Sequence, residues 1–257
     1  MYSTLGSKCP IYCINLAHRP DRKEHTKNEF KKLNIPLHEV TYPYFVKDKR
    51  GGSFGCYDSH LKVWQAFTNN YPEHNYCLVL EDDFTIPNIQ NAQQTLEKSK
   101  AFLEKNIDHI DILFLHNLCI KNTKKVKLDA DFVNADADFV NGYGFLTHAY
   151  LITRHYIHTV LPLALKQNTG EHIDFLINIK KNNILYSEKL FYTNQPCFIQ
   201  LNDKSDNYAN IFDELFRRDI NERILWGVKY WTFIKKIGLV NDDIIKKICC
   251  LTLPKIN

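Results

Sequence analysis

The feature that most constrains this chain is a short apolar run, Tyr76–Leu80 (YCLVL), that stops on three consecutive carboxylates, Glu81, Asp82 and Asp83. A continuous apolar run of this length fits a strand covered on both faces, as in a largely parallel sheet. Ligands of such sheets bind outside the carboxyl ends of the strands, where the three carboxylates fall. Unpaired, they repel one another, and a divalent cation removes that penalty. Hard oxygen ligands of this kind suit Mn²⁺ or Mg²⁺, with substrate phosphates completing the shell. If the segment stays extended, Glu81 and Asp83 point the same way and share the ion, while Asp82 faces away or meets the donor. The competing reading is a solvated acidic turn that caps the next helix.

The surrounding pattern alternates strands with helices. Strands are expected at Cys9–Leu16, Leu37–Phe45, Tyr76–Leu80, Ile110–Leu115, Gly144–Thr153 and Ile184–Tyr192. Helices are expected at Asp21–Leu33, Phe54–Asn70 with Ser53 as cap, Ile89–Glu104, Arg154–Lys166 and Glu171–Lys180. That order predicts an α/β fold with a mainly parallel sheet flanked by helices. The length of 257 residues allows a main domain, 1–210, followed by a helical, basic appendage, 211–257.

Charge separates the two parts. The whole chain carries +4, residues 217–257 carry +5, and the remainder is therefore near neutral at −1. A surplus of this size does not argue for a nucleic-acid partner. In the tail, Trp226, Tyr230, Phe233 and Ile237 share one helical face with Lys229, Lys235 and Lys236 at its margins. Such a helix docks on its own domain, pairs with a second copy, or rests on an anionic membrane as a peripheral contact. The eight cysteines contain no CxxC pair and read neither as a disulfide framework nor as a zinc site. Their use fits a reducing, cytoplasmic compartment. No secretory signal and no transmembrane run is visible in the sequence.

Two further segments carry chemistry. Three of the nine glycines, Gly51, Gly52 and Gly55, lead into the helix that bears Ser59 and His60. A helix N-terminus of this kind favours a diphosphate. For Gly55 the alternative is close packing, and for His60 a hydrogen-bonded core histidine. The turn after the first strand holds Asn15, Arg19 and Arg22, suited to a base or ribose edge and to phosphate, although an arginine here can equally pair with Asp21.

Together these segments, INLAHRPDR (Ile14–Arg22), GSFGCYDSHLKVW (Gly52–Trp64) and LVLEDDF (Leu78–Phe84), resemble glycosyltransferase family 25, the bacterial lipooligosaccharide and procollagen galactosyltransferases. Weaker matches are HIDILFL (His109–Leu115), GFLTHAYLIT (Gly144–Thr153), HIDFLI (His172–Ile177) and PCFIQ (Pro196–Gln200). The resemblance implies a GT-A type Rossmann-like sheet, a UDP-sugar donor, Mn²⁺ and inversion at the anomeric carbon. The sugar is expected to be galactose, with glucose or an N-acetylhexosamine as alternatives. The acceptor is a hydroxyl on a glycan, a lipooligosaccharide or a collagen-like chain. On this reading Glu81 and Asp83 hold the metal, joined by a histidine from a later loop, His148 or alternatively His172. Asn15, Arg19, Arg22, Gly55, Ser59, His60 and Asp82 face the donor. An inverting transfer needs a base opposite the leaving group, for which Asp174 is chosen over Glu171. Asn141 and Tyr143 line the acceptor side. Two rival functions use the same fold: a sugar nucleotidyltransferase, and an inactive carbohydrate-binding protein.

Overall fold

The structure is a computed structural model that describes residues 9–116, 119–121, 138–144, 146–178 and 182–200. All of these fall within one compact unit, Met1–Asp203. The appendage expected over 211–257, with its aromatic and basic helical face, lies outside the described residues.

Strand β1 (Ile11–Leu16) is followed by helix α1 (Pro20–Lys32), with Pro20 at the start as expected. The single strand expected over Leu37–Phe45 is instead a short 3₁₀ turn at Leu37–Glu39 and two fragments, β2 (Val40–Thr41) and β3 (Tyr44–Phe45). Pro43, which has no N–H to offer a neighbouring strand, lies between the fragments. Helix α2 (Gly52–Asn70) starts one residue before Ser53, so Ser53 is not its cap; Gly51 is, at φ 130°. Then come β4 (Tyr76–Glu81), β5 (Phe84–Thr85) and α3 (Ile89–Lys105), whose cap Asn88 accepts the Asn91 N–H. The remaining elements are β6 (Ile112–Phe114), β7 (Cys119–Lys121), β8 (Phe139–Gly144), β9 (Ala149–Thr153), α4 (Arg154–Ala164), α5 (Ile173–Asn178), β10 (Leu190–Thr193) and β11 (Ile199–Gln200).

Among the described residues the main sheet has nine strands in the order β2-β1-β4-β9-β6-β10-β8-β7, with β3 also beside β1. The pairings make seven of them run in one direction and only β8 and β9 in the other, which is the mainly parallel α/β sheet expected. The stretch expected as one strand, Gly144–Thr153, is broken. Leu146 adopts a left-handed φ of 76°, and a new strand, β9, begins at Ala149.

Strand periodicity assigns the two faces. Leu78 and Leu80 join Phe30, Leu96, Phe102 and Leu103 under α1 and α3. Cys77 and Val79 join Leu61, Trp64, Phe67, Ile157 and Val160 under α2 and α4. Every residue of β4 before Glu81 is buried, so both faces are covered. The two-residue period continues to the strand end and delivers Glu81 to the α2 side.

Arg154 ties the far ends of these elements together. Its guanidinium donates to the carbonyls of His74 at 2.6 Å and Thr68 at 3.3 Å, and to that of Tyr71. It also stacks 4.6 Å from the Phe67 ring centroid. The last carbonyls of a helix lack intrahelical donors, and this fork supplies one to Thr68 in the last turn of α2, while also binding the carbonyls of Tyr71 and His74 just beyond it. Arg154→Ala is expected to lower unfolding free energy by about 2–4 kcal/mol in urea titrations. Lysine, lacking the planar fork, should restore less than half.

Candidate active site

The three carboxylates separate. Asp82 and Asp83 form a turn between β4 and β5, so the chain is not extended through Asp83 and alternation alone does not align it with Glu81. Asp82 turns to the α1 side. It accepts from Asn15 Nδ2 at 2.7 Å and from Arg22 NH1 at 2.9 Å, with both charged side chains nearly buried. Burial raises the Asp82 carboxyl above its usual range even against Arg22 and Asn15. Helix α1 also holds the following residues, because His25 Nε2 donates to the Phe84 carbonyl at 2.8 Å and Glu29 accepts the Ile86 N–H at 2.9 Å.

Glu81 lies on the opposite face. Its Oε1 accepts from the Thr147 hydroxyl at 2.6 Å and sits 3.3 Å from His60 Nε2, while its N–H donates to the His148 carbonyl at 2.9 Å. Burial works against its charge, but His60 and Thr147 outweigh it and hold the carboxyl below its usual range. His60 is fully buried, and its Nδ1 lies 2.7 Å from the Tyr150 hydroxyl, which also accepts from Trp64 Nε1 at 3.0 Å.

Asp83 is buried, accepts from Gln200 Nε2 at 2.9 Å through Oδ2, and leaves Oδ1 with no hydrogen-bond partner. Burial, then the charges of Glu81 and Asp82, push its carboxyl up to about 7. A carboxylate oxygen kept from water beside an ionised neighbour is the electrostatic setting that a divalent cation relieves. His148 is buried with its Nδ1 unpartnered, and its Nε2 is 3.5 Å from the Phe198 carbonyl. Burial lowers its basicity, so the imidazole is neutral and fit to ligate. Glu81, Asp83 and His148 are donor types that suit a cation, and Asp83 and His148 each keep an unpartnered buried atom. Among the described residues, the set whose ligand atoms lie within 4.8 Å of one another is Cys56, His60 and Glu81.

The other expected residues are placed as follows. Asn15 is committed to Asp82 and to the Arg19 carbonyl, Arg22 to Asp82, and Arg19 to Asp21 at 2.8 Å. Arg19 thus makes the Asp21 pairing that the sequence left open beside a phosphate contact. At Gly55 an added Cβ would lie 3.1 Å from Asp48 Cβ, so close packing accounts for this glycine. Ser59 donates back to the Gly55 carbonyl at 2.7 Å. Asp174, in the first turn of α5, accepts the Leu146 N–H at 2.9 Å through Oδ2. Segment 146–148 therefore bridges Asp174 to Glu81. Glu171 lies in the loop before α5. Asn141 donates to the carbonyls of Glu188 and Leu190, joining β8 to the start of β10, and Tyr143 stands opposite Ile120 on β7. Thr147, Gln200 and Tyr150 were not foreseen as site residues. Tyr150 and Gln200 are brought in by strands paired from far along the chain, and Thr147 by the loop just before β9, so no local spacing announces them.

Residues 47–177, about half of the chain, match the family profile described as glycosyltransferase family 25 (LPS biosynthesis protein). The chain belongs to that family. It is 23% identical over 240 residues to a procollagen lysyl hydroxylase and glycosyltransferase of Acanthamoeba polyphaga mimivirus, covering 78% of this chain and 26% of that protein. It is also 23% identical over 195 residues to a glycosyltransferase 25 family member of Drosophila melanogaster, covering 66% of this chain and 29% of that one. The chain thus spans between a quarter and a third of the length of these relatives. Among solved structures, a glycosyltransferase involved in glycosylation of the major capsid of PBCV-1 aligns over 65% of this chain and 75% of its own, at 13% identity and a TM-score of 0.36. No helix among the described residues is long and apolar enough to cross a membrane.

Two outcomes follow from the buried charges. Arg22→Ala strands the Asp82 carboxylate and should cost about 3–5 kcal/mol of unfolding free energy. His116, stacked 4.8 Å from His148, is pushed down to about 3 from 6.5 by burial and by that neighbour. The unfolded chain then binds the proton first, so stability is lost as pH falls below 6.5 toward 3. The slope is about 1.4 kcal/mol per pH unit for each proton. Chemical unfolding over that window should show a shallower acid slope in His116→Gln.

Proposed function

We propose that the chain transfers a sugar from a UDP-sugar to a hydroxyl acceptor, with inversion and with a divalent cation, Mn²⁺ or Mg²⁺, held by Glu81, Asp83 and His148. The observation that carries this reading is the unpartnered, buried Oδ1 of Asp83 beside ionised Glu81 at the carboxyl end of β4. A bound cation supplies Lewis-acid stabilisation of charge on a leaving diphosphate. Asp174, anchored by the Leu146 N–H, is the proposed base for the acceptor proton, with Glu171 as the alternative. Asn15 and Asp82 are tied together at the adjacent strand end, and the donor's nucleoside is proposed to lie against them. Family membership supports sugar transfer over nucleotidyl transfer. Galactose as the donor sugar and a glycan, glycolipid or collagen-like acceptor are proposals from the same family reading.

Asp83→Asn removes a buried charge that Glu81 repels. It should therefore raise the cation-free melting temperature near neutral pH, yet abolish the rise that Mn²⁺ gives the native protein. UDP release from a UDP-sugar should fall about 100-fold or more, which corresponds to roughly 3 kcal/mol of transition-state stabilisation. Asp174→Asn should lower turnover by a similar factor while keeping the Mn²⁺ response. Release of UDP unaffected by Asp83→Asn, or activity only with CTP or UTP plus a sugar phosphate, would refute the assignment.

A further inference from the structure

Cys56 and His60 are four residues apart on α2 and so share one face. The period of β4 sends Glu81 to that same face. As a result Cys56 Sγ, a His60 ring nitrogen and a Glu81 carboxylate oxygen all lie within 4.8 Å of one another, with Nε2 the nitrogen that faces Glu81. His60 has no exposed surface, and its Nε2 makes no hydrogen bond although it faces Glu81 at 3.3 Å. A buried ring nitrogen with no well-formed hydrogen bond, 3.3 Å from a carboxylate and clustered with a thiol, points to a ligand.

We propose that Cys56, His60 and Glu81 form a second cation site, selective for a thiophilic ion of the Zn²⁺ class rather than for Mn²⁺ or Mg²⁺. Nitrogen and oxygen ligands about 2.0–2.1 Å from a tetrahedral ion stand about 3.3 Å apart, which is the separation of His60 Nε2 and Glu81 Oε1. In the tautomer whose Nδ1–H donates to the Tyr150 hydroxyl, which ion binding would select, the Nε2 lone pair is free for the ion, and Tyr150, itself held by Trp64, fixes the ring plane. Binding displaces one proton, from the thiol, and leaves the fourth position for water. Sulfur softens the set enough to prefer Zn²⁺, whereas the oxygen-rich side of Glu81 toward Asp83 prefers a hard ion. The two sites share Glu81, so filling one withdraws a ligand from the other. This last consequence, Zn²⁺ inhibition of turnover, rests on the transferase reading; the site itself does not.

The test uses the full chain stripped with chelator and titrated with Co²⁺, then with Zn²⁺ in competition. One equivalent of Co²⁺ should bring a thiolate charge-transfer band that Zn²⁺ erases, and Cys56→Ser should lose the band and bind Zn²⁺ at least tenfold more weakly. X-ray absorption on the Zn²⁺-loaded native chain, which needs no variant, should show one sulfur among nitrogen and oxygen neighbours. A band that survives in Cys56→Ser, a shell without sulfur, or a shell with two or more sulfurs overturns the proposal. Normal Mn²⁺-supported turnover with no sulfur-bound Zn²⁺ sinks the second site alone. Sulfur-bound Zn²⁺ at Cys56 with no turnover on any UDP-sugar supports the site and sinks the transferase reading.

Discussion

Two buried carboxylates and a third that is largely covered sit at the end of one buried strand, and their surroundings are arranged to make that tolerable. Each is handled differently. Asp82 is neutralised by Arg22 and bonded by Asn15. Glu81 is stabilised as an anion by a hydroxyl and a neighbouring imidazole. Asp83 has one amide donor and an oxygen with no partner, and its raised pKa records the mismatch. A stable domain carries such a mismatch most readily where a ligand resolves it, because the cost of an uncompensated buried charge is large against net stability.

Helix α1 shows how the site shapes its scaffold. A helix packed on a sheet normally turns an apolar stripe inward. Here the inward stripe includes Arg22, Thr26 and Glu29 as well as Phe30, and Arg22, His25 and Glu29 clamp Asp82, Phe84 and Ile86 in turn. Part of the charged face of this helix is the wall that fixes the acidic turn. The partners lie 57 to 60 residues away along the chain, beyond any local pattern.

What could be read beforehand was whatever short-range periodicity encodes. The wholly apolar β4 and the long α2 express i, i+2 and i, i+4 spacing, while the proline opening α1 and the carboxylates at the strand end are local signals in their own right. Periodicity failed where a backbone exception or a distant partner decides the outcome. Pro43 splits the second strand, Leu146 ends the strand expected from Gly144, and the strand expected from Ile184 is confined to Leu190–Thr193. The zinc-type cluster was invisible for the same reason. Two of its ligands form Cys-x₃-His on one helix, but the third arrives from a strand.

Leu146 links these threads. A leucine at φ 76° costs about 1–3 kcal/mol and persists only where its surroundings over-determine it. Both of its backbone polar groups are held: Asp174 accepts the N–H, and His116 Nε2 donates to the carbonyl at 3.0 Å. The kink lets the next residue, Thr147, reach Glu81, and lets the His148 carbonyl take the Glu81 N–H before β9 begins. One strained residue thus connects the proposed base to the proposed cation ligand through three consecutive positions. Straightening it would lengthen β9 by continuing the ladder, and would also withdraw Thr147 from Glu81 and release Asp174. The site takes its geometry from this kink.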